Sequence, residues 1–397
     1  MEVNIQSQKE FFSINYFIKL NLIGGGPHDQ MIERLDRMKD ICGLPKVKIA
    51  DCHEFYQDVE ANAHDLMTWE GELYMEGHQG TYTSIAKVKK GNRLSEIYLR
   101  DAEIFATFNH ISHQLLGTTA KDNWSTIHKL WEKLLLDQFH DVLPGASIGL
   151  IYDQTDKDYE EIQTETYRLG KENFAELIPA IFNVKTLTEG DVNAYAFINT
   201  TQYDRTNIFD IQGKQYRIYL TDLGIELIPK HLIVNTEENY LSIEEDLAES
   251  HYVVTNKFYI IQIGFNGQIE SILDKRTKKF NLESTMKESI DKNNENYSKG
   301  NMFSMHEDLP IFWDAWDIWI YYMDTRKDFS ASTHSHHLTE KVSLILKFTY
   351  NIPGSGKSTM IQDIVIGNSD ERIDFKTTIN WDEMHKCLRV YFPLSNI

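Results

Sequence analysis

The chain has 397 residues, 41% hydrophobic and 12% aromatic, enough for two or three domains with sizeable cores. Its 40 basic against 60 acidic residues give a formal charge of −20, which argues against nucleic acid and anionic membrane as partners, because neutralising phosphates takes clustered Lys and Arg. Cys42, Cys52 and Cys387 make neither a disulfide framework nor a metal-type pair. The start, Met-Glu-Val-Asn, lacks the basic region and cleavage site of a signal peptide, and "FFSINYFIKLNLI" is too short and too polar to span a bilayer. A soluble cytoplasmic protein is expected, with neutral ligands such as sugars left open.

Residues 1 to 23 show no period. Gly24-Gly25-Gly26-Pro27 then opens a helical stretch with Met31, Leu35, Met38 and Ile41 at spacings of three and four, stopped by Gly43 and Pro45. "KVKIA" reads as a short strand and "CHEFYQDVEA" as a short helix. From about residue 91 the pattern is strongly helical. Asn92 is a candidate N-cap for a helix whose apolar face runs through Leu94, Ile97, Tyr98, Phe105, Phe108, Ile111 and Leu115. A second helix carries Ile127, Leu130, Trp131, Leu134 and Leu135 and ends at Pro144-Gly145; a third covers "YDQTDKDYEEIQTETYRLGKENFAEL". Three successive amphipathic helices suggest a small bundle.

After about residue 192 the runs become β-like: "AYAFINT", "KQYRIYLTDL", "YVVTNKFYIIQIGF" and "IESILDK", with Asn266-Gly267 as a hairpin dipeptide. This character continues to the end, apart from a polar stretch at 277 to 301 read as a mobile loop. Helices first and strands afterwards argue for separate domains rather than a parallel α/β unit. Near the end, "YNIPGSGKSTMIQDIVI" contains the Gly-Lys-Ser of a phosphate-binding loop. The first glycine of that motif would fall at Asn351, and the residues after Ser358 are β-branched where a helix is required. Two alternating runs joined by Pro-Gly-Ser-Gly describe a hairpin.

Two segments bear chemistry. "WEGELYMEGHQGTYTS", residues 69 to 84, is dense in carboxylates, aromatics and hydroxyls, and "DQFHDVLPGAS", residues 137 to 147, places His140 and Asp141 at a helix end beside a Pro-Gly turn. Alone, His140 and Asp141 could be a solvated pair at a helix C-terminus, and Glu72 and Glu76 an exposed face. No second donor stands at i+4 from His140 to complete a local chelate.

Together these segments resemble glycoside hydrolase family 38, the class II α-mannosidases, and most closely its cytosolic and bacterial branch. The resemblance is carried in order by "GGGP", "GLPKVKI", "GELYMEGHQGTYTSIAKVKKGNRLSEIYLRDAE", "LWEKLLLDQFHDVLPGASI", "INTTQYDRT", "NKFYIIQIGFNGQIESILDK" and "EDLPIFWDAWDI". It implies a multidomain α and β chain: the end of an α/β barrel in 1–70, a three-helix bundle in 71–185 and an antiparallel β-sandwich region in 186–397. It implies retaining hydrolysis of terminal α-D-mannosides in mannose oligosaccharides, with a divalent metal, zinc or in some relatives cobalt. Carried over, His140 is a metal ligand, Asp141 a hydrogen-bond partner of the sugar, and Glu72, with Glu76 next, the acid/base carboxylate. Retaining glycosidases need two carboxylates about 5–5.5 Å apart. The family's early His-x-Asp ligands and aspartate nucleophile find no match in the two dozen residues before the glycine turn. The expectation is a central slice, inactive alone, completed by an N-terminal polypeptide or acting as a homo-oligomer. Exposed apolar surface is expected over residues 1 to 70. The alternative is a non-catalytic, degenerate mannosidase that binds carbohydrate or assembles with other chains.

Overall fold

The computed structural model describes residues 28–44, 46–64, 66–71, 77–182, 194–230, 233, 238–283, 299–339 and 341–393. The glycine turn at 24 to 27, Glu72, Glu76 and most of the polar stretch at 277 to 301 lie outside them. The chain divides between Tyr74 and Met75 into two compact units. Among the described residues no helix is long and apolar enough to cross a membrane.

In the first unit α1 (Asp29–Arg37) and α2 (Cys52–Asn62) are the described elements, and neither buries a residue. The α1 helix ends four residues before Ile41, with Met38 closing its last turn through hydrogen bonds to the Arg34 and Leu35 carbonyls. Asp51 caps α2 by accepting the His53 N–H at 2.8 Å. The expected strand "KVKIA" has no assigned structure and pairs with no strand among the described residues, where no barrel is seen. Ile49, Tyr56, Leu66, Met67 and Trp69 stand exposed, as the apolar surface expected over this stretch.

The second unit begins with three long helices, α3 (Ala86–Leu115), α4 (Trp124–Asp137) and α5 (Gly149–Phe182). They share one core: Val88, Leu99, Ala102 and Ala106 from α3, Ile127, Leu130 and Leu134 from α4, and Tyr152, Tyr159, Ile162 and Leu169 from α5. On α4 the apolar spacing points the right way, except that Leu135 is 59% exposed. On α3 the expected face is the wrong one. Ile97, Tyr98, Phe108, Ile111 and Leu115 face water, and the buried stripe is Val88, Gly91, Asn92, Ser95, Leu99, Ala102, Ala106 and Asn109.

The reason is close packing. A Cβ on Gly91 would lie 2.4 Å from the Tyr159 ring, so α3 and α5 approach over small side chains. Asn92 is likewise no cap: the helix starts at Ala86, and Asn92 is buried inside it, its amide donating to Glu96 at 3.0 Å and its carbonyl accepting from Gln138 at 2.9 Å.

The remaining elements are antiparallel strands. β1 (Ala194–Ile198) pairs with β4 (Ile225–Pro229), and β2 (Arg205–Ile211) with β3 (Lys214–Leu220), around Phe197, Ile218, Leu220 and Ile233. Next comes a five-stranded meander: β5 (Ser242–Asp246), β6 (His251–Thr255), β7 (Tyr259–Gly264), β8 (Ile269–Asp274) and β9 (Lys279–Glu283). That last strand begins within the polar stretch expected to be a loop. β10 (Met302–Glu307) lies between β11 (Lys327–Phe329) and β16 (Lys386–Tyr391). β12 (Ala331–Thr339), β13 (Ser343–Asn351), β14 (Thr359–Gly367) and β15 (Ile373–Asn380) form a sheet in chain order.

Side chains of these last three sheets merge into one core, with Leu344, Leu346, Phe348 and Tyr350 from β13 and Met360, Ile364 and Ile366 from β14. The period of two is that of strands with one face buried. "PGSGKS" is the loop between β13 and β14. Gly354 takes φ +76°, Lys357 pairs with Asp382 at 3.0 Å, and a strand comes next where a phosphate loop would need a helix.

Candidate active site

α4 ends at Asp137, and the chain then winds through a tight turn carrying His140 and Asp141. Val142 and Leu143 N–H groups bond the Phe139 carbonyl at 2.9 and 3.1 Å, and the Gly145 N–H bonds the Val142 carbonyl at 3.1 Å. Pro144 cannot continue a helix, and Gly145 takes φ +94° to turn the chain out. The Asp141 carbonyl accepts from Ser147 Oγ at 2.8 Å and from the Ala146 N–H at 3.1 Å. The turn is fixed by its backbone, so both side chains are free to point outward. His140 is 73% exposed, its Nε2 is 3.5 Å from Asp141 Oδ2, and the Phe139 ring lies 4.3 Å from its own.

Beneath the turn the protein is close-packed and charged. Asp137 is buried with Oδ2 unpartnered among the described residues, and burial, with Asp158 nearby, pushes its carboxyl up to about 6. A carboxylate at a helix C-terminus also faces the negative end of the dipole.

The second chemistry-bearing segment meets this turn at its far end. Residues Gln79–Tyr82 form a short 3-10 turn, and a Cβ on Gly145 would lie 2.7 Å from the Ser84 carbonyl oxygen, so two backbones are in contact here. Lys89 Nζ donates to the same Ser84 carbonyl, and burial lowers its ammonium to about 8.

A third segment supports the second. Ser84 Oγ donates to the Ala315 carbonyl at 2.9 Å, the Gly80 N–H to the Trp316 carbonyl at 2.8 Å, and the His78 N–H to Asp317 Oδ1 at 2.6 Å. The sequence displays all three segments but does not join them. Their contacts span up to 239 positions, and no local period encodes that distance.

His140 and Asp141 are thus adjacent, while Glu72 and Glu76 lie outside the described residues. Among the described residues the only group of three close metal-ligating side chains is Asp51, Cys52 and His53, consecutive and exposed on α2, and a zinc site needs three or four ligands. Among the described residues His140 has one carboxylate neighbour, Asp141, which makes two of the three or four donors a zinc site takes.

Comparison with known proteins decides the family. Residues 76–177 match the family described as "alpha mannosidase middle domain", and residues 254–397 match the "glycosyl hydrolases family 38 C-terminal domain". The chain belongs to glycoside hydrolase family 38, the class II α-mannosidases. Its His140–Asp141 turn and the 77–84 turn both fall in the middle domain, and the 315–317 segment in the C-terminal one.

Among the relatives of this family 38 chain, alpha-mannosidase G of Dictyostelium discoideum is 28% identical over 92% of the chain and 36% of its own length. Alpha-mannosidase 2C1 of Homo sapiens is 27% identical over 93% of the chain and 34% of its own length, and alpha-mannosidase of Saccharomyces cerevisiae 27% over 94% and 32%. The chain thus spans about a third of the length of these relatives. A solved family 38 protein from Enterococcus faecalis has the same fold over 96% of this chain and 53% of its own, with TM-score 0.56 and 13% identity.

Proposed function

We propose that this chain supplies the middle and C-terminal part of a retaining α-mannosidase acting on terminal α-D-mannosides of mannose oligosaccharides. One observation carries the reading: the "QFHDVLPGAS" turn, held by its own backbone, presents His140 and Asp141 together to solvent within the matched middle domain. A half-exposed carboxylate on a hydrogen-bonded turn is suited to accept hydrogen bonds from vicinal hydroxyls of a pyranose. Glu72, with Glu76 next, is assigned as the general acid and base. A divalent metal, zinc or cobalt, is expected from the family, with His140 as one ligand. The α-mannosidases among the relatives do not favour the non-catalytic alternative.

None of these assigned residues is a nucleophile, so the purified chain is expected to release no aryl leaving group from an aryl α-D-mannoside above a His140→Ala control. Addition of a polypeptide carrying the family's His-x-Asp pair and aspartate nucleophile is expected to restore metal-stimulated release, lost again in His140→Ala and in Glu72→Gln. Release indifferent to His140→Ala would sink the reading.

A further inference from the structure

Strain is concentrated where the three segments meet. Among the described residues ten non-glycine positions hold a left-handed backbone, and His78, Ile85 and Trp313 all belong to this junction. Such a conformation is unfavourable for an L-residue, so it persists only where the surroundings impose it. Trp313, at φ +56°, is held by the residues just after it: its carbonyl accepts the Trp316 and Asp317 N–H groups at 2.8 and 2.9 Å. Those residues are in turn fastened to Gly80 and His78. Yet the Trp313 ring gains no burial from this arrangement. It is 72% exposed, with Phe312 beside it in sequence and also in water.

A backbone strained so as to hold an indole in solvent is a preorganised contact surface rather than a packing solution. The chemistry around it selects the ligand. Glu307 is paired with Lys386, which leaves Asp308, Asp314 and Asp317 between 308 and 317 with no Lys or Arg in that stretch, in a chain of net charge −20. An anionic ligand is repelled there. A pyranose is not: its C–H face can lie on an aromatic ring while its hydroxyls donate to a carboxylate, here the exposed Asp314. Ala315, two residues on, bonds Ser84, and Ser84 touches Gly145 at the end of the His140–Asp141 turn. The aromatic loop is therefore fastened, through Ser84, to the turn that carries the proposed sugar site.

We propose that Trp313, flanked by Asp314, binds the second, non-terminal ring of a neutral oligosaccharide whose terminal ring sits at the His140–Asp141 turn. This rests on the mannosidase reading for the position of the terminal ring, but not for the saccharide chemistry of the loop itself.

The test is calorimetric titration of the full chain with methyl α-D-mannoside, one ring, and with α-linked mannobioses, two rings. The parent chain is expected to prefer a mannobiose by about tenfold, Trp313→Ala to erase that preference while leaving the monosaccharide unchanged, and Trp313→Tyr to restore most of it. Trp313→Gly removes both ring and strain, so it is expected to melt no lower than the parent and still to lose the preference; a structural tryptophan would lower the melting temperature. A preference that survives Trp313→Ala overturns the proposal, as does the absence of binding of either sugar to the parent. Asp141→Ala separates the two readings. If it leaves both sugars bound while Trp313→Ala still erases the preference, the loop assignment stands and the placement of the terminal ring falls.

Discussion

Two residues beneath the His140–Asp141 turn make the local chemistry measurable without any substrate. Gly145 combines φ +94° with backbone contact to Ser84, so Gly145→Ala must both strain the turn and push the Ser84 carbonyl away. A loss of about 1–3 kcal/mol in urea denaturation is expected. Asp137 gives a pH signature. Its carboxyl titrates at about 6 in the folded chain against an ordinary 3.8, so the folded state binds the proton more tightly. The stability tied to that proton is fully present below pH 3.8 and is lost as pH rises through 6. Asp137→Asn is therefore expected to flatten this fall and to stabilise the protein above pH 6 by about 1–2 kcal/mol, read as melting temperature against pH. Were Asp137→Asn to melt with the parent's pH profile, the buried carboxyl would not be the cause.

Among elements, the hairpins were legible in the sequence and the helix faces only in part. Proline and glycine at 353 to 356 announce a turn through their own backbone preferences, and β13 and β14 show their period of two in the residues themselves. The α3 helix is the counterexample. Its large apolar residues advertise one face, but Gly91, Ala102 and Ala106 let another helix come close, and closeness of approach decided which face was buried. Residue hydrophobicity carries no information about how near a partner can come. Asn266-Gly267 shows a similar gap. It marked a turn, but what demands glycine is Tyr350: a Cβ at position 267 would fall 2.2 Å from the Tyr350 hydroxyl, at φ +85°. Gly267→Ala is expected to cost about 2–4 kcal/mol in chemical denaturation, and adding Tyr350→Phe is expected to recover part of that loss. Full additivity of the two substitutions would refute a clash between them.

At the scale of the molecule, the three buried apolar clusters among the described residues lie after Tyr74: the helices, the small β1 to β4 region and the large β core. The described residues before it contribute none. A polypeptide of residues 75–397 is thus expected to show the parent's main melting transition within about 2–3 °C, because the buried area that sets cooperativity is retained. A melting point far below the parent's would mean that the first unit stabilises those cores. The candidate site was legible as a string around His140, because a turn of ten residues is local. Its support was not, since Ser84, Gly145 and Ala315 are assembled by the fold from three parts of the chain.

That support joins backbone to backbone. Where Ser84, Gly145, Ala315 and Trp316 meet, the spacing is set by carbonyls, amides and one hydroxyl, with Lys89 the long side chain that joins them at the Ser84 carbonyl. The side chains of Phe312, Trp313 and Asp314 project from this frame, which Trp313 joins only through its backbone carbonyl. On the proposed saccharide reading of this loop, specificity can drift at the tip while the anchor stays constant, which makes 312 to 314 the place to graft a new sugar preference.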